Sequence, residues 1–108
     1  DVLLMAAEAN NRKASADDAK AQNYLNQVRA RAFGNSSQAS SSTGAALTQE
    51  IWDERNLELA MEGHRFFDLV RTGEASIKIS GFISGKHEVF PIPQSEIDIS
   101  GLTQNAGY

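Results

Sequence analysis

The residues of this chain able to do chemistry gather in one stretch. His64 and Asp68 stand four apart, a spacing that puts both on one helical face, where they could orient a general base or supply two metal ligands. Glu58 and Glu62 repeat that spacing with two carboxylates, and Arg55 and Arg65 flank them in the same sector. Neither set is complete. Two ligands are too few for a metal, and His87 is distant in sequence. A hydrolytic carboxylate pair must face a substrate across a cleft of about 5–10 Å, which adjacent turns of one packed helix do not offer. The favoured reading is an ion-pair network, because opposite charges three or four apart on a helix meet. No metal, no cofactor and no catalytic group is assigned. G-x-S-x-G, P-loop, H-E-x-x-H and dinucleotide fingerprints do not occur.

The element that must position these groups is predicted to be one long helix over residues 48–73 (TQEIWDERNLELAMEGHRFFDLVRTG). At about 100° per residue, Ile51, Trp52, Leu59, Ala60, Phe66, Phe67, Leu69 and Val70 fall on one broad half. Leu57 and Met61 form a narrower strip opposite, so the helix is expected to lie between two layers. Thr48 is placed as its cap, Leu47 and Trp52 as a hydrophobic staple, and Gly73 as its stop. Arg55 and Glu62 turn partly into the apolar half, where partners must satisfy them, since a lone buried charge is costly. Trp52, Phe66 and Phe67 are assigned to the core. Tyr24 and Tyr108 are left less committed.

The composition fits one small domain over residues 1–108. Apolar residues make up 41% of the 108, an ordinary share, and the net charge of −4 argues against a nucleic-acid surface. The acid is concentrated: residues 34–74 hold seven acidic and three basic side chains. The absence of cysteine removes disulfides and thiolate chemistry but leaves the compartment open. No apolar run reaches the ~18 residues of a membrane span, and no signal peptide is read. The opening DVLLMAA reads as a helix already under way, which suggests a piece of a longer protein.

Before the long helix, residues 2–9 are apolar on nearly every side and are expected to be buried all round, with Asn10 and Asn11 ending the helix. Ser15 with Asp18 matches a capping pattern for a second helix from about 16 to 33, stopped by Gly34. Its stripe is Ala21, Leu25, Val28 and Ala32. The short connection predicts an antiparallel hairpin with alanine-rich contacts, similar to one hairpin of a tetratricopeptide-like repeat. Residues 34–46 are serine-rich and are read as a flexible surface loop. Beyond Gly73, alternation at Ile77 and Ile79 hints at an extended piece. Residues 86–93 are expected to be extended, since Pro91 and Pro93 restrict their predecessors. Phe90 and Ile92 would anchor that segment, and Pro93 would open a short helix.

Three segments carry a resemblance. ERNLELAMEGHRFFDLVRTG (54–73) is similar to a hallmark of the form E-R-x-x-E-L-x-x-E-G-x-R-(F/W)-x-D-L-x-R. HEVFPIPQSEIDISGLTQNAGY (87–108) resembles the closing segment of the same family, and DVLLMAAEANNR (1–12) with LNQVRARA (25–32) resembles the helices before it. The family is SusD/RagB, outer-membrane lipoproteins that capture nutrients, commonly glycans, for a SusC-like TonB-dependent transporter. Two departures stand out: Ala106 where the family usually has proline, and the serine-rich composition of 34–46. The resemblance implies a mostly α-helical C-terminal portion of a longer protein, in which a helical hairpin packs on the long helix and an extended C-terminal segment wraps it. It implies a non-catalytic nutrient binder on the outer face of the outer membrane, held there by an upstream lipid anchor. Its partners would be the transporter and an oligosaccharide or other nutrient. Arg55, Glu58, Glu62, His64, Arg65 and Asp68 match the hallmark and would brace the scaffold; no ligand contact is assigned. The alternative is a helical-repeat adaptor that binds another protein.

Overall fold

The computed structural model describes residues 1–108 and is helical throughout, with no β-strand. It contains α1 (Val2–Arg12), α2 (Asp18–Phe33), α3 (Gly44–Glu58), α4 (Arg65–Thr72), α5 (Ala75–Lys78) and α6 (Gln94–Ser100). This is the mostly α architecture expected. The chain divides into two compact units, Asp1–Arg65 and Phe66–Tyr108.

In the first unit α1 and α2 form a hairpin, and both contact α3. The core is Leu4 and Ala7 from α1, Ala21, Leu25 and Val28 from α2, and Leu47 and Ile51 from α3, with Leu3 and Tyr24 alongside. Ala7 and Ala21 let α1 and α2 approach closely, while Leu4, Leu25, Leu47 and Ile51 are fully buried. Each of those four contributes about 1.5–3 kcal/mol by leaving water.

A polar knot ties the three helices at one end. Asn11 Nδ2 donates to Asp18 Oδ1 at 2.8 Å and to the Gly44 carbonyl at 3.2 Å. Asp18 Oδ2 accepts the Gly44 amide at 2.7 Å, and the Thr48 hydroxyl donates to Asn11 Oδ1. Asp18 thereby satisfies an orphan amide at the start of α3, which no capping side chain of its own supplies. Asn11 is itself buried.

Several sequence expectations need correction here. Asn10 and Asn11 do not end α1, because Asn10 Nδ2 bonds back to the Ala6 carbonyl at 2.8 Å and Asn11 finds partners on two other helices. Nor is α1 buried all round: Val2 and Met5 face solvent, as does Ala32 on α2. The cap of α2 is Asp17, whose side chain accepts the Lys20 amide at 3.0 Å, rather than Ser15; Gly34 does end the helix, in the left-handed conformation.

The single helix over 48–73 is two helices. α3 starts at Gly44 with Thr43 as its N-cap, so Thr48 lies inside it and bonds back to the Gly44 carbonyl. α3 ends at Glu58, and α4 begins only at Arg65. Between them Met61 (φ 69°) and Gly63 (φ 79°) take the left-handed conformation, which a right-handed helix cannot contain. The opposite strip of Leu57 and Met61 is exposed and covers no second layer.

Residues 35–43 lie along α2 by a ladder of side-chain bonds. Gln22 Nε2 donates to the Ser42 carbonyl at 2.8 Å, and Arg29 Nη1 to the Gln38 carbonyl at 3.3 Å. Between them, Asn26 grips Ser40 by both backbone groups, at 3.0 and 2.7 Å. Positions 22, 26 and 29 share one helical face, which fixes the register.

In the second unit α4 buries Leu69, and α5 is a single turn with Ala75 buried. Of the extended piece expected at Ile77 and Ile79, Ile77 lies instead in α5 and is exposed, while Ile79 alone has extended backbone, just past the helix. Residues 83–87 form a turn closed by the Lys86 and His87 amides on the Ile83 carbonyl at 3.2 and 3.0 Å. The predicted extension over 86–93 therefore holds only after this turn. Pro93 does cap a short helix, α6, which Gly101 ends in the left-handed conformation.

Candidate functional site

The ionic groups of α3 do not pair among themselves as their spacing suggested. They reach other helices. Arg29 of α2 bridges two α3 carboxylates, with Nη1 3.0 Å from Glu50 and Nε 2.8 Å from Glu54. Arg31 pairs with Glu58, and the buried Arg55 meets Asp1 at 2.6 Å. The Ser42 hydroxyl donates to Glu50 and holds its carboxyl below the ordinary range, with Ser40 and Arg29 assisting against the opposing effect of burial. Asp18 is lowered likewise, first by the Gly44 amide and then by Asn11.

The structure separates the remaining hallmark residues from this network. Glu62 lies exposed on the turn after α3 and joins no ion pair, contrary to its expected place toward the apolar half. The turn leaves His64 ahead of the first residue of α4, while Asp68 meets Arg71 Nε at 2.7 Å. Arg65, the first residue of α4, is partly buried. No group of three histidines, aspartates or glutamates is placed to hold a metal ion. Trp52 is only partly buried, with the Arg12 guanidinium 5.4 Å from its ring centre.

A concave feature lies in the second unit, and its lining was not recognised from sequence. Phe66, Phe82 and Phe90 line a cleft of about 490 Å³ together with Ser80, His87 and Tyr108. Phe66 is the hub: its centroid lies 6.3 Å from Phe90 at 35° and 6.5 Å from Phe82 at 54°. Phe67 packs edge-on to Phe66 at 5.7 Å but is otherwise exposed, which corrects its assignment to the core. Phe90 is 76% exposed, so it is a wall of the cleft rather than a buried anchor.

Local chemistry fixes the polar members. His87 Nδ1 accepts the Ile83 amide at 3.0 Å, so the neutral ring carries its proton on Nε2. The same ring stands edge-on to Phe82 at 5.7 Å. The Tyr108 hydroxyl donates to the Val89 carbonyl at 3.0 Å, and Lys86 Nζ sits 4.7 Å from the Tyr108 ring centre. The tail holds the wall from behind: Gln104 pairs with both backbone groups of Ile92, and Asn105 Nδ2 donates to the Phe90 carbonyl at 2.6 Å. The only advance signal was the recurrence of aromatic residues at 66, 82, 90 and 108, spacings that no local periodicity connects.

Comparison with known proteins agrees with the resemblance. The model of the SusD family matches residues 1–89. The SusD-like protein P25 of Formosa agariphila is 41% identical over 75 residues, which cover 68% of this chain and 14% of that protein. The chain thus spans a small part of the length of the relative it matches. No solved structure matches it. A family match over four-fifths of the residues, on an all-helical fold that carries the hallmark segment, identifies this chain as a member of the SusD family.

Proposed function

We propose that this chain is part of a non-catalytic, cell-surface nutrient binder, with glycans as the ligand class, that delivers its cargo to a SusC-like TonB-dependent transporter. The observation that carries this reading is family membership, through the match over residues 1–89. Two features of the structure support it. Glu50, Glu54 and Glu58 of α3 are engaged by arginines on α2 rather than held facing each other across a cleft, which suits a bracing role. The one concave surface described above is lined by aromatic and neutral polar groups, which suit binding better than bond breaking.

On this reading Arg55, Glu58 and Asp68 act through their ion pairs as scaffold, His64 and Arg65 stand beside them at the start of α4, and Glu62, exposed on its turn, has no bracing role. No helix is long and apolar enough to cross a membrane. Attachment to the outer face of the outer membrane would come from a lipid anchor elsewhere in the polypeptide. The test is affinity capture by the full-length protein from solubilised outer membranes, with glycan-array binding in parallel. Recovery of the transporter together with binding of a glycan supports the proposal. Recovery of a soluble protein without the transporter would replace it with the adaptor reading.

A further inference from the structure

We propose that the aromatic cleft of the second unit is a binding subsite for one neutral sugar ring. This rests on the nutrient-binding reading above and names a site and a ligand class for it. The cleft offers three phenyl rings, with those of Phe82 and Phe90 each within 6.5 Å of the Phe66 ring. Their planes are inclined by 35° and 54° rather than parallel. A flat aromatic guest could stack on one of them only. A puckered ring presents C–H groups in several directions and can meet more than one face, the negative side of each ring quadrupole.

The rim decides between a sugar and a hydrocarbon. Ser80 and Tyr108 bring hydroxyls, and His87 brings an Nε2–H that no other group engages. The Tyr108 hydroxyl spends its proton on the Val89 carbonyl and keeps its lone pairs for an incoming donor. A hydrocarbon would strip water from these groups and return no hydrogen bond, at a cost for each. Sugar hydroxyls can both donate to Tyr108 and accept from His87. The lining side chains carry no formal charge when His87 is neutral, and the one ammonium beside them, Lys86 Nζ, already faces the Tyr108 ring 4.7 Å from its centre, so a neutral guest is favoured over a charged one. The volume of about 490 Å³ lies within the usual range for ligand clefts, about 300–1,000 Å³.

The experiment is saturation-transfer NMR on the 108-residue chain. Maltohexaose, cellohexaose and xylohexaose serve as neutral probes, an oligogalacturonate as the charged probe and phenol as the flat apolar one. We expect transfer to the ring protons of at least one neutral probe. Phe90→Ala and Phe82→Ala should each weaken it roughly three- to tenfold, while Phe90→Trp retains it and the amide spectrum stays dispersed in all three variants. Binding that ignores both alanine variants, binding of phenol or the uronate alone, or no binding at all would overturn the proposal. These failures are distinct from failure of the family reading. Full-length protein that captures its transporter and binds a glycan equally well with Phe90→Ala sinks the subsite and leaves the nutrient binder standing.

Discussion

The side-chain amide of Gln104 holds Ile92 by both of its backbone groups: the Ile92 amide donates to Oε1 at 2.8 Å, and Nε2 donates to the Ile92 carbonyl at 2.9 Å. This is the pairing one residue of a β-ladder would make, delivered by a side chain to a segment whose flanking prolines, Pro91 and Pro93, have no amide to donate. Gln104→Glu keeps size and Oε1 but replaces the donor with an acceptor facing a carbonyl. It should destabilise the second unit by about 1–3 kcal/mol, the cost of leaving a backbone group unpaired. Hydrogen exchange at the Ile92 amide, faster in the variant while amides of α2 are unchanged, is the check.

The same device appears in the first unit, where Asn26 grips Ser40, and neither case could be read from periodicity. What was legible rests on local chemistry: the amphipathic stripe Ala21, Leu25 and Val28, the stop at Gly34, and the short helix that starts at Pro93. The hallmark segment was legible as a string of residues but not as a shape. Its apolar spacing continues across residues 59–64, so the period gives no sign of the break; only Gly63 marks it, and a single glycine is tolerated inside many helices. The outer face of α1 was misjudged for a related reason, since its apolar residues include Val2 and Met5, which this structure leaves exposed. The cleft was not legible at all, because its walls come from α4, a turn, an extended strip and the last residue.

The ion pairs differ in what they are worth. Arg29 serves two carboxylates, and Glu54 beside it has little access to solvent. Removing the guanidinium strands Glu54 next to Glu50, so Arg29→Ala should cost about 3 kcal/mol. Glu62 is exposed on its turn and unpaired, so Glu62→Ala should stay within about 0.5 kcal/mol of the parent. Urea midpoints of both variants on one chain decide the matter. Comparable losses would mean that the hallmark glutamate is held as firmly as the network.

Acid should loosen the first unit. Both carboxylates whose titration is clearly lowered, Asp18 and Glu50, lie in the first unit, and the hydrogen bonds they accept are stronger to the anion than to the protonated acid. A group whose pKa falls on folding stabilises the fold above its unfolded value and loses that contribution as pH drops through the folded one. Stability should therefore be flat near neutrality and decline below about pH 4. Asp18→Asn should be less stable at pH 7 and show a shallower decline. Equal slopes in the two proteins would remove Asp18 from the account.

Met61 is the one non-glycine residue with positive φ, at 69°, and its side chain is fully exposed. The backbone there bears the left-handed penalty of about 1–2 kcal/mol with no buried contact to offset it. Met61→Gly removes the Cβ clash, but it also loosens the unfolded chain, which takes back about 0.4–1 kcal/mol. The expected net gain is up to about 1 kcal/mol, seen as a higher urea midpoint. Gly63→Ala inserts a Cβ at φ 79° into open space, so its cost of about 1 kcal/mol would be conformational rather than steric. The pair of signs is diagnostic of the break. Residues 59–64 forming a continuous helix would make Met61→Gly destabilising and Gly63→Ala stabilising, and that reversed pattern would return the hallmark segment to a single rod.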